Sequence, residues 1–201
     1  MTYLFLGSHL DDIEINAGAT ISKLRKSGTP VYYVGFSPCH NPITLEIECL
    51  KATETLGLHR KHVTTHCIPV RYFNQHRQEI ADIILESIEK IKPDVIFTHH
   101  MDDRHPDHRA VAEETLRVAR CSVFSYVTPW NVKAEENTFF EVTQDDLKRK
   151  VEALGCYKSQ AERQYMGEEF IFGWSRTTGL KAHLPFAEGF YCVQQVFSYA
   201  S

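Results

Sequence analysis

Three residues near the start of the chain, His9, Asp11 and Asp12, have the types and spacing to bind a metal and move a proton. They sit in Gly7-Ser8-His9-Leu10-Asp11-Asp12-Ile13-Glu14, directly after an apolar run from Tyr3 to Leu6. That run reads as a buried strand and the residues from Asp12 to Lys26 as the helix after it, so His9 and Asp12 converge on one point at the switch. An imidazole and a carboxylate are suitable ligands for Zn2+. Asp11, between them, points elsewhere into the same crevice and is free to act as a base on an activated water. A second cluster, Asp102-Asp103-Arg104-His105-Pro106-Asp107-His108, follows another apolar run, Val95 to Thr98. Two parallel strands in one sheet would bring both clusters to its carboxyl edge, where open α/β sheets hold their sites.

Each cluster alone has an ordinary explanation. Asp is a favoured helix N-cap, and a second Asp suits the helix dipole; Pro106 opening a helix out of a polar loop is common. Together they favour a metal, because the second cluster supplies the third ligand that a site with an open position needs.

The elements that must position these residues alternate through the first half of the chain. After Gly28-Thr29-Pro30, the β-branched and aromatic run Val31 to Phe36 predicts a strand. Ser37 to Pro42 is a loop, Thr44 caps a helix to Leu56, and Gly57 stops it. A third strand is expected over Val63 to Val70. Ile80, Ile83, Ile84, Ile88 and Ile91 form a helical stripe that ends at Pro93. The strand Val95 to Thr98 and a helix from Asp107 to Arg120 follow. This rhythm, closed by right-handed crossovers, predicts a Rossmann-like three-layer α/β/α fold with a mainly parallel central sheet. Beyond Ser122 the expectations are strands at Val123 to Val127, Thr138 to Val142 and Ala187 to Phe197. A helix capped at Thr143 reaches Tyr157, and the segment Ala161 to Gly179 is helical. With no linker or repeat, residues 1–201 are expected to form one domain.

Composition narrows the partners. The 201 residues are 43% hydrophobic with a net charge of −4 and no basic stripe, which argues against nucleic acid. No apolar run approaches the ~20 residues of a membrane span, and the chain enters a strand without an export signal. Six scattered cysteines without a C-x-x-C pair read as reduced thiols of a cytoplasmic protein.

The paired motifs resemble the PIG-L/LmbE-like family of zinc-dependent de-N-acetylases. The first runs His9-Leu10-Asp11-Asp12-Ile13-Glu14-Ile15-Asn16-Ala17-Gly18-Ala19-Thr20-Ile21, and the second is His105-Pro106-Asp107-His108. Ala52 with Leu56-Gly57, Pro93 to Phe97, Lys158-Ser159-Gln160 and Ala187 to Phe190 extend the likeness over nearly the whole chain. The region of Arg71, Phe73 and Arg77, the Pro129-Trp130-Asn131 segment and the run Tyr157 to Gln160 resemble members from amino-sugar and polysaccharide clusters. The resemblance implies one Zn2+ per chain held by His9, Asp12 and His108. It makes Asp11 the general base, His105 the acid or electrostatic partner of the tetrahedral intermediate, and Asp107 the residue that orients a histidine. It implies removal of an acetyl group from an N-acetylated amino sugar or its conjugate, by a chain of a family that is often oligomeric, so a homo-oligomer is expected. Amide hydrolysis needs an activated water, a polarised carbonyl and a proton for the leaving amine, and one zinc, one carboxylate and one imidazole supply all three.

The sequence also departs from that family. Leu10 stands where Pro is usual and Ser8 where Ala is usual; Asn16 and Ala19 replace small or Gly positions. Leu45 occupies the place of an Arg in Arg-x-x-Glu-x-x-x-Ala, although Glu48 and Ala52 remain. The pocket is therefore read as rebuilt, with Arg71, Arg77 or Arg176 meeting a phosphate or sugar hydroxyls and Trp130 or Tyr165 stacking on a ring. The bland readings are exposed arginines, Arg176 among them, and core aromatics. His40, His59, His62, His66, His76 and His183 read as surface or loop residues, whereas one of His99 and His100 lines the cleft. Two other functions compete. A nucleotide-binding Rossmann protein needs G-x-G-x-x-G after the first strand, and the adjacent carboxylates here would repel a pyrophosphate. A non-catalytic sugar-binding relative would lack a ligand or the base, and none is missing.

Overall fold

The apolar run that opens the chain becomes an inner strand of a single sheet, and the computed structural model describes residues 1–131 and 133–197. Seven strands form that sheet: β1 (Tyr3–His9), β2 (Val31–Ser37), β3 (Val63–Thr65), β4 (Val95–Thr98), β5 (Ser122–Tyr126), β6 (Thr138–Glu141) and β7 (Ala187–Gln194), in the order β3-β2-β1-β4-β5-β7-β6. The first five pair in parallel, and β7 runs antiparallel to both β5 and β6. The expected α/β fold with a mainly parallel sheet is thus the observed one.

Side chains that alternate across β1 serve both faces, which is why this strand is apolar from Tyr3 to Leu6. Leu4 and Leu6 join Val34, Phe36 and Ile96 under α3 (Arg77–Ile91) and α4 (Pro106–Val118). Phe5 joins Tyr33, Phe97 and Phe124 under α1 (Asp12–Lys26), α2 (Pro42–Thr55) and α5 (Gln144–Leu154). The isoleucine stripe faces the core as expected: Ile80 and Ile84 are buried, and Pro93 ends α3 after Lys92 turns left-handed at φ 51°. Thr143 caps α5 in a reciprocal capping box with Asp146. α6 (Glu168–Lys181) packs on β7.

Several boundaries differ from expectation; α5, for one, ends at Leu154 and not at Tyr157. Asn41, not Thr44, caps α2: its side chain accepts the Thr44 N–H at 3.4 Å, with Pro42 in the first turn. The third strand stops at Thr65; His66 and Ile68 still donate to Gly35 O and Phe36 O, but Pro69 has no N–H to continue. Helix α6 starts only at Glu168, because Lys158–Gln160 and Gln164–Met166 form separate 3-10 turns. The last strand ends at Gln194, not Phe197.

Two glycines shape the loop that carries the first cluster. A β-carbon at Gly35 would run into Leu10 Cδ2, and one at Gly7 would lie 2.9 Å from Ile13 Cγ1. β1 therefore turns into α1 with Leu10 seated on the neighbouring strand. Among the described residues no helix is long and apolar enough to cross a membrane.

Candidate metal centre

β1 and β4 are adjacent and parallel, so the segments that leave their carboxyl ends share one crevice. β1 extends to His9, which makes that histidine the last residue of the strand. Asp11 stands at the N-cap of α1, yet its side chain makes no capping bond. Asp12 does not cap the helix either: its Oδ2 accepts the His9 N–H at 2.8 Å. Neither carboxylate is spent on the ordinary helix-capping role.

Three atoms that could each ligate a metal meet in this crevice. His9 Nδ1 lies 3.3 Å from Asp12 Oδ2, His108 Nε2 lies 3.3 Å from the same oxygen, and the two nitrogens are 3.3 Å apart. A tetrahedral zinc site with bonds of about 2.0–2.1 Å has ligand-to-ligand edges of about 3.3–3.4 Å. The triangle fits one face of such a site.

Two other triads, His9/His105/His108 and Asp12/His99/His108, bring their ligand atoms within 4.8 Å of one another. Hydrogen bonds choose between the sets. His99 Nε2 accepts the Ser8 N–H at 3.0 Å, so that lone pair is taken. His105 caps α4 by accepting the Asp107 N–H at Nδ1 (3.2 Å), which leaves the proton of the neutral ring on Nε2. His9 Nε2 faces Asp107 Oδ2 at 3.4 Å and His108 Nδ1 faces Asp103 Oδ2 at 3.0 Å. Each carboxylate accepts a ring N–H and turns the opposite lone pair towards Asp12, the usual outer-shell arrangement of a metal-binding histidine.

Electrostatics follow from this packing. Burial lowers the His9 imidazole, but the Asp12 charge and the bonds to Asp107 and Asp12 outweigh it and carry its pKa to about 9. His108 is likewise carried to about 10 by Asp12 and Asp103 against its burial. Asp12 is buried, which alone would raise it, yet the three surrounding histidines hold it well below the carboxylate range. Asp11 moves the other way: burial and then the Asp12 charge raise it, opposed by the Arg163 guanidinium. Burial and the neighbouring His108 push His99 down to about 4, a neutral ring stacked on His108 with centroids 3.9 Å apart.

These values predict how metal uptake depends on pH. With folded pKa values of about 9 and 10 against 6.5 unfolded, His9 and His108 stabilise the metal-free protein below pH 6.5. That stability is lost as pH rises through 9 to 10. Ligation needs the lone pairs, so binding near pH 7 is expected to release at least one proton, with affinity rising about tenfold or more per pH unit to about pH 9. Calorimetric titrations with Zn2+ in buffers of different ionisation heat measure this; no proton release at about pH 7 would contradict it.

Asp103 had no assigned role in the sequence, although it lies five residues before His108. It is 4% exposed, takes His108 Nδ1–H with one oxygen and the His105 N–H with the other at 2.8 Å. Asp103→Asn is expected to weaken Zn2+ binding by about 10- to 100-fold. Competition with a chromogenic chelator measures it, and an unchanged affinity would remove Asp103 from the account.

The remaining candidates divide. Asp107 lies against His9, and its Oδ2 also accepts the Arg71 N–H at 2.7 Å, for which Arg71 adopts φ 71°. It is the Arg71 backbone that reaches the cluster, while the side chain is exposed. Such left-handed backbone is costly outside glycine and concentrates at functional sites. Arg77 is not brought to the cluster: its guanidinium pairs with Glu113 and with Glu114, at 2.6 Å from the latter. Arg176 points to Pro185 O. Trp130 is half-buried among Tyr165, Phe170 and Trp174. His99 lines the crevice, whereas His100 packs on Tyr191. Arg163, without any signal in the sequence, reaches Asp11 Oδ2 at 2.7 Å.

Comparison with known proteins gives the same region weight. A family described as PIG-L: GlcNAc-PI de-N-acetylase matches residues 4–119. The uncharacterized deacetylase YaiS of Escherichia coli (strain K12) is 31% identical over 172 residues, spanning 78% of this chain and 90% of its own. Among solved structures, the conserved protein TT1542 from Thermus thermophilus superposes with a TM-score of 0.79 at 21% identity, covering 99% of this chain and 97% of its own. The N,N'-diacetylchitobiose deacetylase from Pyrococcus horikoshii has a TM-score of 0.70 at 19% identity, covering 94% and 82%. At these identities the two structures speak for the fold alone.

Proposed function

The chain belongs to the PIG-L family, and from that membership we propose that it is a metal-dependent N-deacetylase acting on an N-acetylated amino sugar or its conjugate. The observation that carries the reading is the triangle of His9 Nδ1, Asp12 Oδ2 and His108 Nε2, each 3.3 Å from the others, with the uncapped Asp11 beside it. His9, Asp12 and His108 would hold one Zn2+, which when bound polarises the amide carbonyl and acidifies water. Asp11 takes the proton of the attacking water. Burial and the adjacent Asp12 raise its affinity for that proton. His105, neutral with its proton on Nε2, donates a hydrogen bond towards the carbonyl oxygen as charge develops there, and the proton that Asp11 took from water passes on to the departing amine. Asp107 and Asp103 keep the two liganding rings in orientation.

Residues 1–201 act as one domain in this reading, in the cytoplasm, where the six unpaired thiols stay reduced. The substrate's far end is met by the loops after β2 and β3. Arg71 is the cation there that could pair with a phosphate, since Arg77 is already neutralised by Glu113 and Glu114. Comparing kcat/KM for N-acetylglucosamine, its phosphate and its nucleotide conjugate, in wild type and Arg71→Ala, tests this. A preference for the charged forms that Arg71→Ala removes is expected; equal rates throughout would discard phosphate recognition.

A further inference from the structure

The segment between α5 and α6 is pinned on both sides of one side chain. Tyr157 is buried, with its hydroxyl bonded to Leu10 O and, at 2.7 Å, to Glu14 Oε1. Ser159 donates from N and Oγ to the two oxygens of Glu48 on α2, at 3.0 and 2.6 Å. Arg163 N donates to Gln160 O and Met166 N donates to Arg163 O, both at 3.0 Å, and the Met166 side chain is buried. From this fixed backbone the Arg163 guanidinium crosses to Asp11, with Nη1 2.7 Å from Oδ2. Among the described residues no other Lys or Arg side chain forms an ion pair with Asp11, Asp12, Asp103 or Asp107. The Arg163 side chain is 39% exposed while the Asp11 side chain is 7% exposed, so the arginine covers the carboxylate from the solvent side. Tyr165 flanks it, its ring centroid 5.8 Å from the guanidinium carbon.

Among the described residues no other side chain holds Asp11. Its carboxylate makes no capping bond, and Oδ1 has no hydrogen-bond partner there. We propose that Arg163 is the positioning residue of Asp11, fixing Oδ2 so that Oδ1 is the oxygen that takes the proton. This rests on Asp11 being the base of the reaction proposed above. The segment that delivers Arg163 is itself clamped to the peptide preceding Asp11, through Tyr157, and to α2, through Ser159. Arginine and base are thereby set by one rigid unit, and a base displaced by about 1 Å loses about 100-fold in rate.

The test is a double-mutant cycle on the zinc-loaded protein, with Arg163→Ala, Arg163→Lys, Asp11→Asn and Asp11→Asn/Arg163→Ala. For acetate release from N-acetylglucosamine or the best substrate of the panel, Arg163→Ala is expected to lower kcat by about 10- to 100-fold with KM changed less than about threefold. Arg163→Lys, or guanidinium chloride below its denaturing range, should restore part of the Arg163→Ala loss. In the Asp11→Asn background the alanine change should cost nothing further. A kcat for Arg163→Ala within about twofold of wild type, or losses that multiply in the double variant, would overturn the proposal. Urea midpoints of the same proteins give a reading that needs no substrate. Arg163→Ala should destabilise by stranding a buried carboxylate, and Asp11→Asn should cancel that loss. If wild type hydrolyses no acetamido sugar, the proposed function fails, and the midpoints still decide: coupling supports the Arg163–Asp11 link and strictly additive midpoints overturn it.

Discussion

His108→Ala is expected to abolish tight zinc binding while leaving a folded protein. The substitution removes one corner of a triangle whose edges are all 3.3 Å, leaving His9 and Asp12 as the two remaining protein ligands. Loss of an outer-shell partner already costs about 10- to 100-fold in metal affinity, so loss of a direct ligand should exceed about 100-fold. The fold should survive, because the His108 ring sits at the crevice mouth of α4 and the buried side of that helix is held by Ala110 and Val111. Zinc content after dialysis, alongside a thermal melt, measures both. Wild-type zinc content in the variant would eliminate His108 as a ligand.

Asp11→Asn has the second largest expected effect and separates binding from chemistry. The amide cannot accept a proton at physiological pH, so acetate release should fall by roughly 10²- to 10⁴-fold. Zinc should stay, since Asp11 is no corner of the ligand triangle and, among the described residues, its one polar side-chain partner is Arg163. Arg163 is exposed enough to find water when the charge opposite it disappears, so no buried cation is stranded. A variant that loses its zinc, or that turns over near the wild-type rate, would contradict the assignment of Asp11 as base.

How much of this was legible beforehand depended on the range of the interaction. His9 and Asp12 converge because strand and helix geometry act over three residues, and the spacing alone announces it. The parallel sheet was legible because continuous apolar strands and periodic helices repeat along the chain. Local competition hid other features. Asn41 and Thr44 are both good caps, and Pro42 decides between them. The β-branched run from Val63 continues past Thr65 in composition, but Pro69 ends its pairing with β2.

Tertiary contacts hid the rest. Arg77 looked free at the start of a helix; the acidic pair that neutralises it, Glu113 and Glu114, comes from α4. Asp103 looked like one more carboxylate in a polar loop until its two oxygens met His108 and the His105 backbone. Arg163 lies 152 positions from Asp11, in a segment whose polar 3-10 turns carry no periodic signal. Nothing short of the folded arrangement connects them.

The central claim is that a metal held by His9, Asp12 and His108 makes this chain a deacetylase, and acetate release from an N-acetylglucosamine panel through one cycle of chelation and zinc return tests it most directly. The account predicts release by the purified protein, its loss on chelation, and its recovery on adding one equivalent of Zn2+. Release that persists unchanged in fully metal-free protein, or no release from any acetamido sugar with zinc bound, would contradict it.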